Sequence, residues 1–292
     1  MNIKRAKQEI KDTVAAYLAK DEFGAYEIPS IRQRPMLLIG PPGIGKTQIM
    51  EQVAQECQIG LVAYTITHHT RQSAVGLPFI EHKQYGGKEY AVTEYTMSEI
   101  VASVYERMER SGMPEGILFI DEAYSLVEDN RTYGAEAINT IVQEMENYRD
   151  EVIVIFAGYP EKMQEFLEQN EGLASRIAFH LNFPDYSPVE LTQILDLMLE
   201  KSEYRMDERT REKCFSICAD ACREENYGNG RFVRNLLDHA IMRQADRLIR
   251  EHQNGTLGKE EACLLTADDF EMIGLKKKPQ SRQIGFCAGR TA

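Results

Sequence analysis

Two stretches of this chain carry residue types suited to chemistry on phosphates. The first is Gly40-Pro41-Pro42-Gly43-Ile44-Gly45-Lys46-Thr47, which satisfies G-x-x-x-x-G-K-[ST] at every position. Glycines at those places let successive backbone N–H groups turn inward around an anion. The lysine reaches the β- and γ-phosphates of a nucleoside triphosphate, and the final hydroxyl ligates Mg²⁺. The second stretch is Ile117-Leu118-Phe119-Ile120-Asp121-Glu122. Four apolar residues and then two carboxylates describe a buried strand whose end emerges at a polar site. There Asp121 is expected to hold Mg²⁺ through its water shell, and Glu122 to polarise an attacking water as general base. Alone, the second stretch is equally an ordinary acidic strand end. Beside the loop it completes a site for binding and hydrolysing ATP.

Such residues need rigid elements to hold them. Met36-Leu37-Leu38-Ile39 reads as a short buried strand feeding the loop, and residues 46–58 as a helix whose positive end faces the phosphates. Residues 59–67, 117–120, 152–157 and 178–183 read as further strands, with helices over 97–111, 133–148 and about 161–169. Residues 3–20 show helical periodicity through Ile3, Ile10, Val14 and Leu18, and 21–34 form a loop. The stretch 68–96, with Gly76, Pro78 and Gly86-Gly87, predicts loops or a hairpin. Strands alternating with helices imply an α/β fold, a parallel sheet covered on both faces.

After Pro184 the strand signal almost vanishes, and 187–202, 207–225 and 230–251 read as helices. The expected organisation is a helix and loop over 1–34, an α/β nucleotide-binding domain over 35–184 and a helical lid over 185–274. A disordered tail over 275–292 follows, opening on Lys276-Lys277-Lys278-Pro279.

Composition narrows the function classes. The 292 residues are 43% hydrophobic and 27% charged, ordinary for a globular protein. A net charge of −12 repels nucleic-acid phosphates and anionic lipid, so a general nucleic-acid or membrane role is disfavoured. No stretch has the apolar length of a membrane span, and the charged first twenty residues lack an apolar signal core, so the expected address is the cytoplasm.

The motifs and their layout resemble an AAA+ ATPase, a P-loop NTPase with a parallel-sheet core and a helical lid. The resemblance comes in two parts. Residues 1–122, through the loop 40–47, His68-His69-Thr70-Arg71-Gln72-Ser73 and Glu94-Tyr95-Thr96-Met97-Ser98-Glu99-Ile100, resemble MoxR-like ATPases. Residues from about 117 to 250 resemble the CbbX/stage V sporulation protein K family. They do so through Phe119-Ile120-Asp121-Glu122-Ala123-Tyr124-Ser125-Leu126, Phe156-Ala157-Gly158-Tyr159-Pro160, Phe183-Pro184-Asp185-Tyr186 and Gly228-Asn229-Gly230-Arg231-Phe232-Val233-Arg234-Asn235. A fusion of two related ATPases is one expectation from this pattern.

The resemblance implies further roles. Arg176 stands where the family places an arginine that reaches a neighbouring subunit's nucleotide; a second arginine often stands two residues earlier, where this chain has Ala174. Arg231 matches a lid arginine that contacts nucleotide, with Arg234 one turn along. Tyr159 follows the fourth strand, where the family usually has a polar amide, and its hydroxyl is able to orient water. A homo-oligomeric, hexameric ring acting on a protein client is implied, as is ATP with Mg²⁺. A nucleic-acid motor of the same fold, or a nucleotide switch with little turnover, are the alternatives.

Other residues divide between plain and chemical readings. Cys214, Cys218 and Cys222 at i, i+4, i+8 read as a core-facing stripe, with a metal site as the alternative. His68 and His69 are adjacent, so on a strand they point to opposite faces and share an ion poorly. Phe79 and Tyr85 read as packing of the 68–96 region, or as aromatics that grip a client.

Overall fold

The computed structural model describes residues 3–65, 76–125, 138, 140–143, 145, 151–177, 179–251 and 258–272. His68, His69 and the expected tail lie outside them, as does most of the helix expected over 133–148. The chain divides into two compact units, Met1–Asp185 and Tyr186–Ala292.

The first unit is built on a five-stranded parallel sheet of order β2-β5-β6-β1-β7. Its strands are β1 (Met36–Ile39), β2 (Gly60–Thr65), β5 (Gly116–Asp121), β6 (Val152–Gly158) and β7 (Phe179–Asn182). β5 and β6 are unbroken apolar runs buried over almost their whole length, as strands covered on both faces must be. Parallel pairing aligns Met36 with Ile155 on one side and Phe179 on the other, so all carboxyl ends emerge on one edge. Leu37, Leu118, Ile120, Val154 and Phe156 anchor a core that also takes Ile100, Val104, Met163 and Phe166 from the helices.

Those helices are α1 (Ile3–Leu18), α2 (Lys46–Cys57), α3 (Glu99–Ser111), α4 (Pro160–Glu168) and the short α5 (Glu171–Ala174). α3 begins where the Ser98 hydroxyl accepts the Val101 N–H at 3.3 Å, and ends at Gly112 in the left-handed region. Tyr17, near the end of α1, bonds both backbone groups of Arg34 through its hydroxyl and so fixes the approach to β1.

Between β2 and α3 the chain forms a separate antiparallel ribbon, β3 (Pro78–Tyr85) with β4 (Lys88–Tyr95). Gly86 and Gly87 both have positive φ, 59° and 80°, as a two-residue hairpin turn demands. Among the described residues the packing expected for Phe79 and Tyr85 is not found: both are exposed, at 43% and 58%, and the Tyr85 ring lies against that of Tyr90 across the ribbon, with centroids 6.1 Å apart.

The second unit is helical: α6 (Pro188–Lys201), α7 (Glu208–Ala221), α8 (Gly230–Glu251) and the short α9 (Lys259–Ala262). α6 opens on a capping box between Ser187 and Glu190, with Pro188 in the first turn. Its core joins Leu191, Leu195, Cys214, Cys218, Val233 and Leu236. The unit also holds a short parallel pair, β8 (Arg205–Met206) with β9 (Leu264–Leu265). Cys214 and Cys218 are fully buried, as the core reading requires, and among the described residues no cluster of three or more metal-ligating side chains occurs.

Candidate active site

The loop 40–47 leaves the end of β1 and turns directly into α2. Gly43 and Gly45 have φ of 76° and 86°, values a side chain would strain, and Gly45 caps α2 from the left-handed region. Gly40 is packed so closely on β7 that a Cβ there would lie 2.8 Å from Phe183 Cβ. Its N–H donates to Gly158 O at 3.1 Å, tying the loop to the end of β6. The loop is thus held by backbone on both neighbouring strands, and the amide-rich start of α2 faces its interior.

Lys46 is buried, and its Nζ donates to Gly40 O at 2.8 Å and Pro41 O at 3.2 Å. The charge is therefore stationed within the loop. The same Nζ lies 5.3 Å from the centroid of the Tyr159 ring. Thr47 Oγ1 donates to Asp121 Oδ2 at 3.3 Å. That contact brings together the two hard oxygen donors that Mg²⁺ favours, and the pair fits the ion on chemistry and placement.

Glu122 follows Asp121 at the tip of β5 with φ of 53°, in the left-handed region that non-glycine residues seldom occupy. Tyr159, just past β6, donates its hydroxyl to Glu122 Oε1 at 3.0 Å. Tyr124 packs on Tyr159 with centroids 5.6 Å apart, and Ala123 N bonds Ala157 O at 3.1 Å, so the tips of β5 and β6 are locked together. Lys46, Thr47, Asp121, Glu122 and Tyr159 accordingly converge on one edge of the sheet.

The structure does not bring Arg176 to that edge. Arg176 lies between α5 and β7, three residues before Phe179, which pairs with Met36 at the start of β1. The four residues of β1 put about 13 Å of strand between that end and the loop. Its Nη1 donates to Gly172 O at 2.8 Å. Arg231 and Arg234 are exposed on the first turns of α8 in the second unit. Arg34 lines the same cavity as Arg176 at the amino ends of the strands.

Comparison with known proteins decides the family. The family described as "ATPase family associated with various cellular activities (AAA)" matches residues 36–185, and the AAA lid domain matches 187–281. The chain belongs to the AAA ATPase family. It is 37% identical to the chromosomal protein CbxX of Cupriavidus necator, over 97% of this chain and 84% of that protein. The plasmid CbxX of the same organism is 36% identical over 92% and 80%. The chloroplastic ribulose bisphosphate carboxylase/oxygenase activase of Cyanidioschyzon merolae is 38% identical over 73% and 67%. A crystal structure of the FIGL-1 AAA domain in complex with ADP shares the fold at a TM-score of 0.59 and 22% identity, covering 92% of this chain and 80% of that one.

These matches correct one expectation. The CbxX relatives run through nearly the whole chain, so one AAA family accounts for both halves. The likeness of residues 1–122 to MoxR-like ATPases, and the fusion it implied, find no support. As an AAA ATPase of this lineage the chain binds and hydrolyses ATP. Among the described residues, no helix is long and apolar enough to cross a membrane.

Proposed function

We propose that this chain is a ring-forming, protein-remodelling ATPase whose hydrolytic site is shared between adjacent copies. The observation that carries the reading is the split placement of the site residues. Lys46, Thr47, Asp121, Glu122 and Tyr159 gather at the carboxyl edge of the sheet, while Arg176 stands at the opposite end.

Within one copy the loop 40–47, Gly40 to Thr47 including Pro41, Pro42, Gly43, Ile44 and Gly45, wraps the phosphates with its amides and the α2 dipole. Lys46 exchanges its two loop carbonyls for the β- and γ-phosphates. Thr47 and Asp121 would hold Mg²⁺, which would supply positive charge at the phosphates. Glu122 takes the proton of the attacking water, and Tyr159 holds that carboxylate in place. Arg231 is assigned to the nucleotide from the lid, on family resemblance.

Arg176 cannot join its own Glu122 across the length of β1, but a head-to-tail neighbour presents its strand-start end where charge develops on the γ-phosphate. Hydrolysis then depends on assembly, which is how a remodelling ring couples turnover to its shape. The client is a protein; one relative's name, an activase of ribulose bisphosphate carboxylase/oxygenase, supports a folded enzyme as that class of client. The test is capture with Glu122→Gln, which keeps Mg-ATP unhydrolysed. ATP-dependent retention of a protein by that variant, absent with ADP, is the expected result. No retention, together with turnover that single-stranded DNA stimulates, would replace the reading with a nucleic-acid motor.

A further inference from the structure

We infer that Asn229 is a positioning residue for Arg231, tying the first turn of α8 to the residue at which the chain enters the second unit. The inference rests on the reading of Arg231 as a nucleotide contact from the lid and deepens it.

Tyr186 is the first residue of the second unit. Side chains bond both of its backbone groups. Its N–H donates to Asn229 Oδ1 at 2.8 Å. Its carbonyl accepts the Tyr227 hydroxyl at 2.6 Å and the Cys222 thiol at 3.6 Å. The Tyr227 hydroxyl also stands 2.9 Å from Asn229 Oδ1. A backbone N–H only donates, so the Asn229 atom that faces Tyr186 N is the amide oxygen, and its two lone pairs match its two neighbours. Asn229 is 1% exposed and Tyr227 is buried, so the network is shielded from water and a lost bond there is costly.

The same residue starts α8. The Asn229 carbonyl accepts the Val233 N–H at 3.2 Å, and the Gly228 carbonyl accepts the Arg231 N–H at 2.9 Å. Asn229 has φ of 50°, in the left-handed region that asparagine tolerates better than most residues. The position therefore asks for two properties together, a left-handed backbone and a short acceptor side chain.

Phe232 and Val233 are buried in the core of this unit, and Tyr227 meets Phe232 edge-on with centroids 6.4 Å apart. Arg231 between them and the turn is exposed. Core packing holds the body of α8, but helix ends fray, and Arg231 stands in the first turn. A fraying turn spreads a long arginine over many positions. A turn pinned by Asn229 presents it in few, which lowers the entropy lost when the guanidinium settles on a phosphate.

A double-mutant cycle tests this, read as affinity for a fluorescent, non-hydrolysable ATP analogue in the full chain. Asn229→Gly is the probe, because glycine takes φ of 50° without strain and removes only the acceptor. The expected result is affinity weaker by about fivefold, the scale of one lost hydrogen bond. Asn229→Asp, which keeps an acceptor oxygen at the same place, is expected to restore most of it. In an Arg231→Ala background, Asn229→Gly is expected to weaken affinity no further. Tyr227→Phe, which keeps the ring on Phe232 and loses the hydroxyl, is expected to show the same non-additivity with a smaller loss, and carries the test should Asn229→Gly fail to fold. Wild-type affinity in Asn229→Gly overturns the inference, as does Asn229→Asp as weak as Asn229→Gly. Losses that add in the double variant show an effect that bypasses Arg231 and overturn this inference alone. Unchanged affinity in Arg231→Ala removes the nucleotide reading of Arg231, and this inference with it.

Discussion

The Tyr159 hydroxyl donates to Glu122 Oε1 at 3.0 Å, joining the ends of β5 and β6 at the carboxylate proposed to activate water. The bond is possible only because β6 lies between β5 and β1 in the sheet. It places an aromatic ring against Lys46 on one side and Tyr124 on the other, so Tyr159 is itself held firmly.

Tyr159→Phe keeps the ring contacts and removes the hydroxyl. The expected outcome is a kcat lower by about tenfold with KM for ATP nearly unchanged, because a looser general base spends less time in line with the water. Steady-state kinetics check it. A matched loss in KM would place Tyr159 in nucleotide binding instead.

Glu122 combines its proposed chemical role with a backbone cost. Glu122→Gln is expected to bind Mg-ATP normally and hydrolyse it about a hundredfold or more slowly, since an amide cannot take the proton. Glu122→Gly is expected to be as inactive yet no less stable, because glycine occupies φ of 53° without strain. Thermal unfolding beside an ATPase assay checks the pair. A Glu122→Gly protein that unfolds well below wild type would show that the carboxylate, with its Tyr159 bond, stabilises more than the left-handed backbone costs.

Lys46→Ala is expected to abolish tight ATP binding, since the loop amides neutralise only part of the phosphate charge. Thr47→Ala is expected to raise the Mg²⁺ concentration needed for half-maximal turnover, because Asp121 alone remains of the paired oxygens. Fluorescent-nucleotide titration and a Mg²⁺ dependence read these out. Unchanged affinity in Lys46→Ala would remove the loop from the site.

Burial pushes the Cys214 thiol up to about 12 and the Cys218 thiol up to about 11. At pH 8 neither is a thiolate, and neither is expected to react with iodoacetamide while the second unit is folded. Both should label fully in denaturant. Peptide mapping by mass spectrometry decides it, and rapid labelling of native Cys214 would contradict the packed core.

The parts of this fold that rest on short-range pattern were legible in the sequence. An apolar run before a glycine loop announced β1 and α2, and another before Asp121 announced β5. The pair Gly86-Gly87 allowed a hairpin. What was hidden depends on neighbours far apart in the chain. Tyr159 meets Glu122 through strand order. The β8–β9 pair escaped because two-residue strands carry no periodicity. Short local motifs also suggested a separate ancestry for residues 1–122, whereas likeness spread along the whole chain assigns one family.

The most direct test of the shared site mixes Arg176→Ala with Lys46→Ala subunits. Each variant alone is expected to hydrolyse ATP at about a thousandth of the wild-type rate or less, one lacking the finger and the other the nucleotide. In a mixed ring, the intact loop of an Arg176→Ala subunit receives Arg176 from its Lys46→Ala neighbour, so activity returns in proportion to such junctions. Wild-type specific activity is expected to rise with protein concentration for the same reason. Mixed rings that stay inactive, with wild-type activity independent of concentration, would contradict the account and leave hydrolysis to single, self-sufficient subunits.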